Sequence, residues 1–330
     1  MLARRRPFAA PALPLFDDPE MYVTRLRLVF AGTPAVAVPA LRALAERHDV
    51  VAVITRRDAE LGRKRVLTPS PVAAAAEELG IETIKANRLD DTVTERIREL
   101  APDLGAIVAY GGLVREPLLS LPRLGWINLH FSLLPLWRGA APVQRAVIAG
   151  DTVTGAAVFQ LVPDLDAGAV FSELRREIGP DETAGELLEA LSIPGAGLLA
   201  ETVDALADGS AVATEQTGEP TLAPKLTLDD AHLDLAAPAE AVYARLRGVT
   251  PEPGAFALLD GERFKILSAR RAPEAEPLAP GAVELRGKAV QVGTATDPLE
   301  LVTVQPAGKR AMAAADWWRG RSNPEGVHLS

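Results

Sequence analysis

The stretch LRLVFAGTPAVAVPALRALAERHDVVAVIT, residues 26–55, contains the pattern that predicts the fold class of this chain. It begins with an apolar run that is typical of a buried strand and continues with apolar residues at helical spacing. It ends with a second strand, VVAVIT, which is rich in β-branched residues. A strand, a helix and a second strand in this order predict a unit of a parallel sheet.

The same alternation continues along the chain. Ser70 as N-cap, Pro71 at the first helical position and Gly80 as terminator predict a helix over 71–79. Further helices are predicted in DTVTERIREL and GAGLLAETVDALADG, and further strands in LGAIVAYG, GWINLHF and GAAVFQLV. The fold class is therefore α/β, with a doubly wound, Rossmann-like, mostly parallel sheet. A dinucleotide-binding loop would read G-x-G-x-x-G, whereas FAGTPAVAVP has one glycine and a proline, which disfavours a nicotinamide enzyme.

A second, smaller domain is expected after a change of composition. Residues 210–229 are rich in Thr, Glu, Gly and Pro and indicate a linker. Beyond them, AHLDLAAPAEAVYARLRG predicts one helix, and five short alternating segments predict a β-barrel of the oligonucleotide-binding (OB) type. We thus expect a disordered extension over 1–23, a main domain over 24–209 and an OB-like domain over 230–330.

Composition excludes several classes of protein. The chain has no cysteine, which excludes disulfides and thiolate nucleophiles and suits a reducing cytoplasm. A net charge of −9 disfavours a protein that coats nucleic acid non-specifically. We find no segment close to the roughly 20 apolar residues of a membrane span, so no membrane is expected as a partner. Three prolines interrupt the arginine-led N-terminus, which disfavours a signal peptide.

Chemistry is indicated in NLHFSLLPLWRGAAPVQRA, residues 128–146, and in PDLDAGAVF, residues 163–171. Asn128 and His130 are two apart on a predicted strand and project to one face. An asparagine carboxamide can stabilise an oxyanion, and an imidazole can move protons near neutral pH. Asp166 is the best candidate to orient the imidazole, with Asp164 in reserve. This set lacks an enzyme nucleophile, so the attacking group would come from a substrate.

Simpler interpretations exist for each of these residues. A lone histidine on a strand is often only packed, and an aspartate before Ala-Gly often serves a turn. Ser132 invites a Ser-His-Asp hydrolase interpretation, but the chain has no G-x-S-x-G elbow around it. The joint placement of asparagine and histidine at one strand end favours catalysis over the simpler interpretations.

At these residues the chain resembles the methionyl-tRNA formyltransferase family. The matching segments are LRLVFAGTP, TPSPV, VAYGGLV, INLHFSLLPLWRGAAPVQRAVIAGD, LDAGAV and VQPAGKRAM, in collinear order over about residues 25–315. The resemblance implies transfer of the formyl group of 10-formyltetrahydrofolate to the α-amine of methionyl initiator tRNA, without a metal. It implies that Asn128, His130 and Asp166 are catalytic, and that the contacts to folate come from Ser132, Leu133, Leu134 and Pro135.

The resemblance also implies that a basic loop after the second strand reaches tRNA. Here Arg56, Arg57, Arg63, Lys64 and Arg65 could neutralise phosphates, and Arg138, near the substrate entrance, is a further candidate for binding tRNA. Lys309 and Arg310 are weaker candidates for the same surface. The chain departs from the family pattern at Leu136, Leu235 and Glu252, which stand where the family often has arginine or tryptophan.

Two other functions remain open at this point. The folate site could serve a different acceptor, such as a nucleotide sugar, glycinamide ribonucleotide or water. The chain could also bind RNA or sense folate without catalysis, although a binder does not need the Asn-His-Asp set. We expect a cytoplasmic monomer.

Overall fold

The computed structural model describes residues 25–62, 65–321 and 326–330, so the expected extension over 1–23 lies outside the described residues. Two short 3₁₀ turns, Ala35–Ala37 and Asp229–Ala231, accompany the regular elements. The helices are α1 (Val38–Arg47), α2 (Pro71–Glu78), α3 (Asp91–Leu100), α4 (Pro142–Ala149), α5 (Ala184–Asp208), α6 (Ala239–Gly248) and α7 (Ala314–Arg319). The strands are β1 (Arg27–Gly32), β2 (Asp49–Thr55), β3 (Ala59–Leu61), β4 (Val66–Thr68), β5 (Thr83–Lys85), β6 (Leu104–Val108), β7 (Trp126–His130), β8 (Arg138–Gly139), β9 (Val153–Gln160), β10 (Val170–Glu177), β11 (Leu222–Ala223), β12 (Phe256–Leu259), β13 (Glu262–Arg271), β14 (Val283–Arg286), β15 (Ala289–Val292), β16 (Leu299–Gln305) and β17 (Met312–Ala313).

The main sheet has the order β10-β9-β7-β6-β1-β2-β5. Five neighbouring strands, β7, β6, β1, β2 and β5, run parallel, whereas β9 is antiparallel to β7 and β10 is antiparallel to β9. Leu28 and Phe30 of β1 face one apolar cluster and Val29 and Ala31 face another, because side chains alternate along a strand. The doubly wound, mostly parallel sheet is therefore confirmed.

The helix over 71–79 begins as its sequence predicts. Ser70 caps α2 with its hydroxyl, which accepts a hydrogen bond from the Ala73 N–H at 3.0 Å, and Pro71 occupies the first position. The helix ends at Glu78, one residue before the predicted boundary. Local signals predict this helix well because its cap, Ser70, and its stop, Gly80, lie within eleven residues of sequence.

Helix α5 corrects one expectation from the sequence. Its 25 residues are long and apolar enough, by length and composition, to cross a membrane, although no such segment was expected. In the structure α5 packs against α1, β9 and β10, and it buries Leu187, Leu191 and Leu199 in the core of the main domain. The apolar face of α5 is thus used within the fold.

The smaller domain contains an antiparallel sheet with the order β12-β13-β16-β15-β14, and β17 pairs with β16. Its two outer strands are joined by the last residues of the chain. Leu258 and Ser330 exchange backbone hydrogen bonds of 2.6 and 3.0 Å, and the Leu329 N–H donates to the Gly281 carbonyl at 2.8 Å. Leu329 is fully buried. The C-terminal residues therefore close the sheet, and the expected small β-domain is confirmed.

The expectation of one helix over residues 231–248 is wrong in its first half. Helix α6 begins only at Ala239, after Pro238. A residue before proline is disfavoured in the helical region, and proline itself begins helices more readily than it continues them. Leu233 and Leu235 are instead buried from a non-helical segment, where Leu233 N–H donates to the Phe256 carbonyl at 2.9 Å.

Candidate active site

Strand β7 places Asn128 and His130 in the wall of a cavity of about 510 Å³. Asn128 is half-buried and His130 is buried. The remaining walls come from residues 109–115 after β6, residues 161–166 after β9, and the start of α4. Parallel strands end at a common edge, which is why residues after β6 and β7 meet here.

The hydrogen bond of His130 defines its chemistry. Its Nε2 lies 2.9 Å from the Trp137 carbonyl oxygen. A carbonyl can only accept, so Nε2 carries the hydrogen and Nδ1 of the neutral ring is an acceptor. Burial lowers the pKa of His130, although the charge of Asp166 and the Trp137 carbonyl oppose this shift. The imidazole is therefore neutral near pH 7 and can take up a proton at Nδ1.

Asp166 lies where it can stabilise a proton on His130 Nδ1. Its Oδ2 is 3.8 Å from His130 Nδ1 and accepts a hydrogen bond of 2.8 Å from the Gly139 N–H. In the neutral state neither of these two atoms carries a hydrogen, so they form no hydrogen bond. When Nδ1 is protonated, an imidazolium and a carboxylate face each other, and both side chains are largely buried. The pair therefore becomes more favourable as positive charge develops on the ring.

Asp166 reaches His130 through a loop that turns back towards β7. Because β9 is antiparallel to β7, its carboxyl end lies beside Ile127 rather than beside His130. The loop 161–169 turns back to deliver Asp166, whose φ is +46°. It is pinned at its base by the Gln160 N–H, which donates to the Ala169 carbonyl at 2.9 Å. A side chain at Gly168 would place its Cβ 1.8 Å from the Gln160 carbonyl oxygen, so this crossing requires glycine.

Two polar residues of the linker belong to this site, and sequence reasoning missed them. Gln216 donates from Nε2 to the carbonyls of Asp166 and Gly168, both at 2.8 Å. Thr221 accepts a hydrogen bond of 2.8 Å from the Trp137 N–H, next to the carbonyl that holds His130. The Thr, Glu, Gly and Pro composition of this segment indicated only a linker, and no local signal pairs it with loops about 50 and 80 residues earlier.

The four residues expected to contact folate lie in the turn after β7. Ser132 is fully buried and its hydroxyl donates to the Leu136 carbonyl at 2.6 Å. Leu134 packs with Ala157 and Phe159. Leu133 and Pro135 are half-buried, and none of the four is among the cavity-lining residues in the part of the chain that the structure describes. Their contact with folate stays a prediction.

Family models match both domains of the chain. The model described as "Formyl transferase" matches residues 26–203, and "Formyl transferase, C-terminal domain" matches residues 225–322. A methionyl-tRNA formyltransferase from Leifsonia xyli is 72% identical over 295 residues, covering 89% of this chain and 97% of the relative. Another from Clavibacter sepedonicus is 61% identical, with 89% and 97% covered.

The chain belongs to the methionyl-tRNA formyltransferase family.

Solved structures that resemble this formyltransferase share its fold. The N-formyltransferase from Helicobacter canadensis, in complex with folinic acid and dTDP-3-aminofucose, superposes with a TM-score of 0.63 at 14% identity and covers 85% of this chain and 99% of that chain. HypX from Aquifex aeolicus, in complex with tetrahydrofolic acid, gives a TM-score of 0.61 at 16% identity and covers 89% and 47%. At such identities the likeness establishes the fold alone.

The basic loop of this formyltransferase forms a hairpin of β3 and β4, with Arg63 and Lys64 outside the described residues. The exposed side chain of Arg65 pairs with Glu60 at 2.5 Å. Arg56 donates to the Gly111 carbonyl at 2.6 Å, which joins the base of the hairpin to the cavity wall. The hairpin therefore lies beside the candidate site.

Arg138, expected to bind tRNA near the substrate entrance, makes its hydrogen bonds to a side chain of the protein, and its contact with tRNA stays a prediction. Its Nη2 and Nε donate to Gln216 Oε1 at 2.6 and 3.1 Å. Of the departures from the family pattern, Leu136 and Glu252 are exposed, whereas Leu235 is buried in the small domain. Among residues 25–62, 65–321 and 326–330, no three His, Asp or Glu side chains are grouped so as to hold a metal ion.

Proposed function

We propose that this chain transfers the formyl group of 10-formyltetrahydrofolate to the α-amino group of methionyl initiator tRNA, giving N-formylmethionyl-tRNA for translation initiation. The observation that carries the proposal is the His130 and Asp166 pair beside Asn128 in one cavity, in a chain that is 72% identical to a methionyl-tRNA formyltransferase. We place the reaction in the cytoplasm, with the enzyme acting as a monomer.

The cavity suits a folate donor in size and in lining. Its volume of about 510 Å³ is within the range of pockets for small ligands. Apolar side chains, including Val114 and Leu161, line the cavity together with the polar groups of Asn128, His130 and Asp166. In this proposal the apolar side chains contact the fused ring of the folate, and the three polar groups contact the formyl group. Residues 132–135 then shape the turn that carries Trp137, and they stay our candidates for a folate contact.

The chain's own residues supply the chemistry of the transfer. The amine of the methionyl ester attacks the formyl carbon, and the carboxamide of Asn128 donates to the oxyanion that forms. His130 Nδ1 takes a proton from the attacking nitrogen, and Asp166 stabilises the resulting imidazolium. The same proton passes to the folate nitrogen as its bond to the formyl carbon breaks. Tetrahydrofolate and the formylated amine then leave, and His130 is neutral again.

In this proposal the basic hairpin of β3 and β4 binds tRNA. Arg56 joins the base of the hairpin to the cavity wall, and the sequence of the loop adds Arg57, Arg63, Lys64 and Arg65, which can neutralise phosphates of the acceptor end. Replacing Arg63, Lys64 and Arg65 with alanine should raise the KM for tRNA and leave the KM for the folate donor unchanged. The slope of log affinity against log salt should fall by up to about 2, since each contact to single-stranded RNA contributes about 0.7. An unchanged slope would remove the hairpin from the proposal.

The decisive experiment is single-turnover formyl transfer from 10-formyltetrahydrofolate to methionyl initiator tRNA and to methionyl elongator tRNA. The wild type should formylate the initiator and His130→Ala should lose the reaction. Glu215→Gln, an exposed change in the linker, is a matched control that should keep the wild-type rate. If the folate lost its formyl group while neither tRNA gained one, the assignment of the active site would be kept and the acceptor would be a small amine or water.

A further inference from the structure

One side chain of the segment between the domains is bonded to both loops that hold the His130 and Asp166 pair. Gln216 is half-buried and uses both ends of its carboxamide. Its Nε2 donates to the backbone carbonyls of Asp166 and Gly168, both at 2.8 Å. Its Oε1 accepts from Arg138 Nη2 at 2.6 Å and from Arg138 Nε at 3.1 Å. The carboxamide therefore joins residues 138 and 166–168 across the site.

The neighbours of Arg138 are the two residues whose backbone atoms contact the pair. Trp137 provides the carbonyl that accepts from His130 Nε2, and Gly139 provides the N–H that donates to Asp166 Oδ2. The bond from Arg138 to Gln216 lies between these two contacts in sequence. A displacement of this turn would alter the orientation of the imidazole and of the carboxylate together.

The loop that carries Asp166 needs such support. Asp166 has a φ of +46°, a left-handed conformation that is unfavourable for most residues with a side chain. Gln216 bonds the carbonyl of this residue directly. Two residues earlier in the linker, Thr214 exchanges backbone hydrogen bonds of 2.8 Å in both directions with Val170, at the far end of the loop. The linker thus fixes the loop at its bend and at its exit.

We propose that Gln216 is a positioning residue for formyl transfer, which holds the Asp166 carboxylate and the 137–139 turn in register with His130. The proposal rests on the function proposed above. Gln216 does not line the cavity and acts only through the groups it binds. The segment between the domains is then part of the catalytic apparatus as well as a connection.

Two substitutions test the hydrogen-bond donor and the acceptor of the Gln216 carboxamide. Gln216→Met removes the donor and the acceptor at similar volume. Gln216→Glu keeps an acceptor for Arg138 but replaces the donor with an oxygen that repels the carbonyls of Asp166 and Gly168. Glu215→Gln, at the neighbouring exposed position, is the control. Thermal melts and circular dichroism of all three establish that they are folded.

In single-turnover transfer, both Gln216 variants should be slower by about 10- to 100-fold, because displacements near 1 Å at a reacting centre have effects of this size. The KM for tRNA should stay at the wild-type value, since the hairpin is untouched. The acid limb of the pH–rate profile should move to lower pH, because an Asp166 that is held less closely raises the pKa of His130 less. A wild-type rate in either Gln216 variant would overturn the proposal.

A second readout does not depend on turnover. Titration of the His130 ring by NMR, with the signal assigned from His130→Gln, should give a lower pKa in Gln216→Met than in the wild type, shifted towards the value in Asp166→Asn. The other charged side chains of the site are Asp164 and Arg115 in the cavity wall and Arg138 in the turn after β7. An unchanged pKa would overturn the positioning role. If the pKa of His130 differed in this way but the wild type did not formylate tRNA, the positioning role would stand and the proposed function would be contradicted.

Discussion

Replacing Asp166 with asparagine tests the central electrostatic pair of this formyltransferase. The new side chain keeps an oxygen that can accept from the Gly139 N–H, so the loop retains its anchor while the charge is removed. At the 3.8 Å between Asp166 Oδ2 and His130 Nδ1, the attraction of the imidazolium is about 1 kcal/mol at the dielectric constant of water and about 4 kcal/mol at an effective value near 20. Because the ring becomes charged only during the reaction, this energy is lost from the transition state.

The expected consequence is a single-turnover rate constant lower by about 5- to 1000-fold. The KM for the folate donor should change little, because the shape of the cavity is kept. The assay is formyl transfer under single-turnover conditions across a range of pH, and Asp164→Asn, in the same cavity wall, is the control. An Asp166→Asn enzyme with the wild-type rate, or a larger loss in Asp164→Asn, would refute the role given to Asp166.

Three further changes test the oxyanion donor, the contact between the domains and the closure of the small sheet. Asn128→Ala should lower the single-turnover rate constant by about 10²- to 10³-fold with an unchanged donor KM, and a loss under 10-fold would argue against an oxyanion contact. Burial raises the pKa of Asp230, but hydrogen bonds from Arg145 and Thr227 outweigh it and hold this pKa at about 2. Asp230→Asn should therefore lower the urea-derived free energy of unfolding by about 1–2 kcal/mol at neutral pH, and this difference should shrink as the pH falls below about 4 and disappear only below the folded pKa of about 2; a difference that keeps its neutral-pH size at that point would contradict this. Leu329→Ala should cost about 2–5 kcal/mol in the same measurement, and a cost below 1 kcal/mol would mean that the closing residues are dispensable.

Local chemistry made much of the main domain predictable. The strand and helix over residues 26–47 and the capped helix α2 are encoded by apolar periodicity and by cap residues within a few positions. Asn128 and His130 were predictable as a pair because they are two apart on one strand. Helix α6 was predicted too long because the apolar residues before Pro238 fit a helical spacing, although tertiary packing holds them in a non-helical segment.

The fold class, the order of the two domains and the residue types at the strand end could be predicted from the sequence, because they depend on periodicity and on contiguous motifs. The direction of β9, the return of the 161–169 loop to His130 and the bonding of Gln216 to both loops beside the His130 and Asp166 pair follow only from the folded chain. These features join residues far apart in sequence through backbone carbonyls and a single carboxamide. Such contacts leave no periodic pattern in the chain, so only the folded arrangement specifies them.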